Sequence, residues 1–283
     1  MRRWGWVVVL FVIAAGLRAG WVCFRYSGDD SPIHEYPDEK AYWDVSRSLA
    51  AGDGLVDEFG YRATYMPGYP VFLALFTDRG NPYWYTYLHW ARLIQAILGA
   101  LIAPAVYVLA LRWLSLAGSE SEHAASGMAV SVLAGLAVAF DPFLVFFSGL
   151  LLTETLFVVA LVLAWVWVLP LCRRNRRIGP VAVIGAGLML WLCLMLRPSS
   201  VILVPLVPAA IVLARRFDRQ GVAAAALILV LVAVGLSPWA IRNRRVVGEW
   251  RWLTTRGGIS LYDGFQPGAT GASDLAHTKT MPQ

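Results

Sequence analysis

The chain alternates long apolar runs with short polar stretches, with one long polar exception near its start. A membrane-crossing helix needs about 20 mostly apolar residues. The first run that qualifies is Trp4 to Phe24, preceded by Arg2 and Arg3. A cleaved signal peptide has the same flanks, and Ala14, Ala15, Gly16, Ala19 and Gly20 keep that alternative open beside the preferred reading, a retained span. Arg18 is expected in the outer half of this run, its long stem reaching the interface. A polar stretch from Arg25 to about Leu88 follows, too long for a hairpin and holding ten of the chain's 18 acids. The second span is about Trp90 to Leu111. Gly127 to Leu171 is then apolar for 45 residues, interrupted by Asp141-Pro142, Ser148 and Thr153-Glu154. At about 1.5 Å per residue this exceeds one crossing, so two spans joined by a turn near Asp141-Pro142 are expected, because proline disfavours helical continuation. Pro180 to Ala214, broken at Arg197-Pro198-Ser199-Ser200, reads as two short spans, and Val222 to Ile241 as the last. The pattern predicts an all-α, polytopic transmembrane bundle of about seven spans. Residues 1–241 form the membrane module, with an outer loop at 25–88 carrying short interfacial helices, and 242–283 form an outer polar tail.

Composition narrows the class. With 58% hydrophobic and 15% charged residues, against about 45–50% and 25% in soluble domains, the chain is neither disordered nor a single soluble globule. Its 13 Trp and 11 Tyr suit two membrane–water interfaces. The net charge of +6 does not indicate nucleic acid, since no basic stripe is interleaved with aromatics. Arg173, Arg174, Arg176 and Arg177, and again Arg215, Arg216 and Arg219, lie between apolar runs, where the positive-inside tendency puts cytoplasmic loops. That orientation places the N-terminus inside, and the acidic loop and C-terminus outside. Arg242, Arg244, Arg245, Arg251 and Arg256 then lie outside, against the tendency, which suggests an anionic ligand on that side. Cys23, Cys172 and Cys193 are far apart and form neither a disulfide framework nor a zinc cluster.

The strongest local signal is Tyr36-Pro37-Asp38-Glu39-Lys40-Ala41-Tyr42-Trp43, continuing through Ser48-Leu49-Ala50-Ala51-Gly52-Asp53-Gly54-Leu55. Asp38, Tyr42 and Val45 share one helical face, and Pro37 suits the first turn. This predicts a helix along the membrane surface with Asp38 and Glu39 at its positive end, either as caps or as working acids. Tyr65-Met66-Pro67-Gly68-Tyr69-Pro70 reads as a turn into a second interfacial segment. Asp141 and Glu154 form a second acidic pair. An ionisable group inside an apolar run is a functional candidate by default, although Asp141 also suits a plain turn before Pro142. His34 and Glu35 read as solvated loop positions, and Lys40 as a residue that pairs with a nearby acid or touches phosphate, the surface role being preferred.

The first span, Pro-Asp-Glu with Tyr four residues after the Asp, Leu-Ala-x-Gly-x-Gly and Pro-Gly-Tyr-Pro together resemble the GT-C superfamily of membrane glycosyltransferases. More narrowly, they resemble the branch of protein O-mannosyltransferases and lipid A aminoarabinose transferases. Ser148 to Phe157 is similar to that family's acidic segment at the mouth of its fourth span. Pro238-Trp239-Ala240-Ile241-Arg242-Asn243, with Thr254-Thr255-Arg256-Gly257-Gly258, is similar to its exit from a later span. The resemblance covers the N-terminal part of a typical member, which continues through more spans, so the tail is expected to begin a missing or shortened region.

The resemblance implies inverting transfer of a sugar from a polyprenyl-phosphate carrier to a protein, lipid or glycan hydroxyl outside the cytoplasm. The expected setting is a bacterial inner membrane and cell-envelope glycosylation. Asp38 stands at the position of the family's general base, with Glu39 and Glu154 as further catalytic acids. A departing lipid phosphate needs cations at a desolvated site, and Arg62, Arg197, Arg242 and Arg256 are the outer-side candidates. Tyr42, Tyr65, Tyr69 and Asp141 are candidate sugar or acceptor contacts. No cofactor is firmly indicated. The carboxylates leave a divalent cation open, but His34, His89, His123 and His277 show no ligand spacing. Two other classes compete: a transporter or flippase with Asp141, Glu154 and Arg197 along its path, and a non-catalytic assembly subunit.

Overall fold

The computed structural model describes residues 3–26, 36–77, 84–116, 124–174 and 176–265; His34, Glu35, His123 and His277 lie outside them. The regular structure of the described residues is all helical, without a strand: α1 (Arg3–Tyr26), α2 (Pro37–Ala50), α3 (Gly68–Ala74), α4 (Trp84–Gly99), α5 (Ile102–Leu116), α6 (Ala124–Ala139), α7 (Pro142–Gly149), α8 (Glu154–Leu171), α9 (Pro180–Leu196), a 3-10 turn at Pro198–Ile202, α10 (Leu203–Ala214), α11 (Arg219–Val247) and α12 (Gly257–Phe265). Among the described residues four helices are long and apolar enough to cross a bilayer: Trp4–Tyr26, Leu88–Ser115 (α4 running into α5), Glu154–Leu171 and Arg219–Val247. A fifth results if Ser126–Ala139 and Pro142–Gly149, bent by 44°, count as one, and Pro180–Leu196 and Pro198–Ala214 are shorter apolar helices.

Hydrogen bonds sort the helix ends into two groups. At one end, Arg215 gathers the carbonyls of Leu171 and Arg176 and pairs with Asp218 at 2.8 Å, while the Ile178 N–H donates to Gln220. This end holds the close of α8, the starts of α9 and α11, and both interhelical arginine clusters. The start of α8 and the close of α9 lie about 27 Å away, at 1.5 Å per residue over 18 residues. There α2, α3 and the stretch after α11 are assembled.

Four details depart from the expectations. Arg18 does not reach an interface. It is fully buried and donates to the carbonyls of Val138 (3.2 Å) and Ala139 (3.3 Å), which close α6 and have no N–H of their own turn to accept from. Asp141-Pro142 is a bend rather than the reversal: Asp141 caps α7 by accepting from the Leu144 N–H at 2.8 Å, and the chain breaks at Leu150–Thr153 before α8. The last span does not stop at Ile241. α11 continues to Val247 and closes on Gly248, whose φ of 88° is the left-handed cap that glycine adopts without strain. Finally, Pro37 does open α2, but its buried face is Glu39, Trp43 and Ser46, one residue around from Asp38 and Tyr42, although Val45 is buried as expected. Trp43 sets that face, and Glu39, four residues earlier, goes in with it.

Candidate active site

The break before α8 is the foundation of the site. An irregular stretch between apolar helices leaves carbonyls and N–H groups without helical partners, and buried polar side chains supply them. Gln95 donates to the carbonyls of Ser148 (3.1 Å) and Leu150 (2.6 Å), and Arg92 Nε donates to that of Gly149 at 2.9 Å. Glu39 accepts from the Leu151 N–H at 2.7 Å and from the Tyr36 N–H at 3.0 Å, closing the first turn of α2. Its carboxylate lies 3.7 Å from Arg92, whose guanidinium also stacks 4.2 Å from the Tyr26 ring centre. Tyr69 donates to Gln95 at 2.7 Å, tying α3 to the same node. Gly68, which opens α3, lies so close to the end of α9 that a Cβ would stand 2.6 Å from the Met195 carbonyl oxygen.

On this base stands an aromatic wall. Tyr42 packs against Tyr65 and Tyr69, with ring centres 5.0 and 5.2 Å apart. Burial pushes the Tyr42 hydroxyl up to about 12. A hydrogen bond with Thr153 opposes that shift, while the charges of Glu154 and Asp38 add to it. Tyr65 is raised mainly by burial; Arg256, which donates to its hydroxyl at 2.8 Å, pulls the other way, and Asp38 again adds. Tyr69 is fully buried and raised well above the usual phenol range, first by desolvation and then by the Glu39 charge. Asp38 therefore acts on both Tyr42 and Tyr65, and Glu154 on Tyr42. Asp38 itself is exposed, and among the described residues its carboxylate has no hydrogen-bond or ion-pair partner.

Cations flank the wall. Arg197, at the break between α9 and the 3-10 turn, lies 3.4 Å from Glu154 and over the Phe157 ring, with both charged side chains part-exposed. Arg256 reaches Tyr65 because the stretch after α11 folds back: the Asn243 amide donates to the Arg251 carbonyl, Trp239 to that of Leu253, and the Thr255 N–H to that of Ala63. Arg242 donates to the carbonyls of Leu55 (3.1 Å) and Arg62, so it holds the 55–62 loop. The exposed Arg62 guanidinium is close enough to Arg242 to repel it.

The expected residues thus separate. Asp38, Tyr42, Tyr65, Tyr69, Glu154, Arg197 and Arg256 come together at one end of the bundle, with Arg62 and Arg242 on the adjoining loop. Glu39 is buried beneath them as a structural anchor. Asp141 stands apart as the cap of α7, its charge bearing on Arg18. Among the described residues no group of three or more His, Cys, Asp or Glu is placed to hold a metal ion. Sequence reasoning missed Arg92, Gln95 and Thr153. The signal for the first two was present: a cation and an amide near the start of an apolar span are costly unless they serve a partner.

Among the described residues the arrangement offers an unpartnered carboxylate on an exposed surface, an aromatic wall kept protonated, and guanidiniums with donors to spare. Comparison with protein-family models, with curated proteins and with solved structures finds no match for this chain.

Proposed function

We propose that the protein is a membrane glycosyltransferase of the GT-C type, moving a sugar from a polyprenyl-phosphate donor to an acceptor hydroxyl. The observation that carries this reading is the grouping of Asp38 with Tyr42, Tyr65, Glu154, Arg197 and Arg256. Asp38 takes the proton of the acceptor hydroxyl, whose oxygen bonds to the anomeric carbon as the bond to the phosphate oxygen breaks. The electron pair leaves with the lipid phosphate, and attack opposite the leaving group inverts the anomeric centre. Arg197 and Arg256 receive the phosphate charge, Arg197 by exchanging Glu154 for it, and Arg62 stands as a further cation on the adjoining loop. Tyr42 and Tyr65 offer ring faces to the sugar, whereas Tyr69, fully buried behind Tyr42, supports them from beneath and is not a sugar contact. Glu39 acts through position, holding α2 so that Asp38 faces outward.

In this reading the seven apolar helical segments are seven spans and the Arg173–Arg215 end is cytoplasmic, which puts the site on the outer face of a bacterial inner membrane. The test is sugar transfer from polyprenyl-phosphate donors in liposomes, comparing wild type with Asp38→Asn. Transfer that disappears in a folded, inserted Asp38→Asn protein is the expected result, and undiminished turnover removes the mechanism. The bend at Asp141 and the break at Arg197 favour a second reading, a transporter or flippase of a lipid-linked anion. Donor binding by wild type and variant alike, without transfer by either, would decide for it.

A further inference from the structure

At the end of the bundle away from Asp38, a groove of 540 Å³ opens between α5, α6 and α8. Its walls include Val106, Leu109, Trp113, Val130, Trp165 and Leu169, and every lining side chain is apolar or aromatic. The volume falls within the range of small-molecule sites. Trp113 and Trp165 are 64% and 38% exposed, so the groove opens on the outer surface of the bundle.

Beside it run two arginines. Arg112, next to Trp113, donates to the carbonyl of Val166 on α8. That carbonyl would ordinarily accept from residue 170, but Pro170 has no N–H to give, so Arg112 replaces the missing donor and uses part of its fork. Arg173 donates to the Arg112 carbonyl at 3.3 Å and to the Ser115 hydroxyl. The two guanidiniums repel each other, and among the described residues neither is paired with a carboxylate. Arg174, Arg176 and Arg177 follow directly. Two part-buried cations, each with N–H groups that take no acceptor among the described residues, favour an anion between them. The adjoining groove accepts only hydrocarbon. One molecule meets both demands: an amphiphile whose chain and negative charge are a headgroup apart.

We propose that this groove binds an anionic phospholipid of the leaflet on the Arg173 side, with an acyl chain between Trp113 and Trp165 and the headgroup phosphate on Arg112 and Arg173. The site is independent of the reaction proposed above and lies at the other end of the bundle.

Tryptophan quenching tests it with the full chain in phosphatidylcholine vesicles containing a small fraction of lipid brominated on its chains. Brominated phosphatidylglycerol is expected to quench saturably, with an apparent affinity about 5- to 30-fold above that of brominated phosphatidylcholine, the range that one or two basic residues confer at an anionic surface. Trp113→Phe with Trp165→Phe should abolish the selective component, because those rings line the groove. Arg173→Gln should remove the preference while leaving Arg112 on Val166, and Ala110→Phe should lower quenching by filling the groove with both charges in place. Equal quenching by the two lipids overturns the proposal, as does selectivity that survives the double tryptophan variant. Competition by glycerol phosphate at the affinity of the lipid also overturns it, since a phosphate site needs no groove.

Discussion

Neighbouring acids at the start of α2 have opposite duties, and that makes a quantitative prediction. Glu39 is fully buried, accepts two backbone N–H groups and faces Arg92, itself 4% exposed at the side chain, across 3.7 Å. Glu39→Ala removes the carboxylate that faces a buried guanidinium, and breaking such a pair costs about 3–5 kcal/mol. Glu39→Gln keeps an acceptor but loses the charge, and with it about 1.5–3 kcal/mol, the range for a hydrogen bond to a charged group. For a chain of this size 1 kcal/mol moves the melting temperature by about 2–4 °C, so Glu39→Ala should melt about 10 °C early. Asp38→Asn, at an exposed side chain with no partner among the described residues, should stay within about 0.5 kcal/mol of wild type. The assay is thermal unfolding of the detergent-solubilised protein, followed by intrinsic fluorescence. A second measure is the double variant Glu39→Gln with Arg92→Gln. Removing both charges should cost less than the sum of the single changes, because their shared interaction is lost only once. Equal melting of Glu39→Gln and wild type, or a large loss for Asp38→Asn, would refute the assignment of the buried role to Glu39.

Two further outcomes follow from the same geometry. Gly68→Ala sets a methyl group 2.6 Å from the Met195 carbonyl oxygen, which is backbone and cannot swing aside; α3 should be pushed off α9 at a cost of about 1–3 kcal/mol, read as a lower melting temperature and weaker donor binding. Tyr42 is held up to about 12, against 10.0 for a free phenol. Because its folded pKa is raised, its contribution to stability is complete below pH 10 and is lost as pH rises towards 12. The phenolate absorbance missing from Tyr42→Phe should therefore appear near pH 12, and its appearance near pH 10 would contradict the burial.

Legibility in the sequence followed the range of the interaction involved. The apolar segments were readable because span length is a local property of the chain, and so was the break at Arg197, since Pro198 announces it. Pro37 likewise fixed the start of α2. Which of Asp38 and Glu39 turns inward was not readable, because the partners that choose Glu39 are Arg92 and the Leu151 N–H, 53 and 112 residues away. The same applies to Arg18. Only the ends of its guanidinium contacts, Val138 and Ala139, reveal that it closes another helix instead of reaching an interface.

The arginines divide by what they touch, and the division bears on phosphate binding. Arg18, Arg92, Arg112 and Arg215 donate to carbonyls freed by helix ends, by the break before α8 or by Pro170. Arg197 and Arg256 address side chains, Glu154 and Tyr65, which a ligand can replace. Arg242 was grouped with the second set by its place in the sequence, but its acceptors are the carbonyls of Leu55 and Arg62 and the amide of Asn243, which puts it with the first. Lysine has no planar fork to span three such acceptors. At about 0.5–1.5 kcal/mol per hydrogen bond, Arg242→Lys should release the 55–62 loop, seen as new cleavage there in limited proteolysis. Arg197→Lys and Arg256→Lys should leave the loop protected and weaken donor binding instead. A protected loop with lost donor binding in Arg242→Lys would return Arg242 to the phosphate and leave the loop to be held by other contacts, among them the Lys40–Glu58 ion pair at 3.0 Å and the Thr255–Ala63 hydrogen bond.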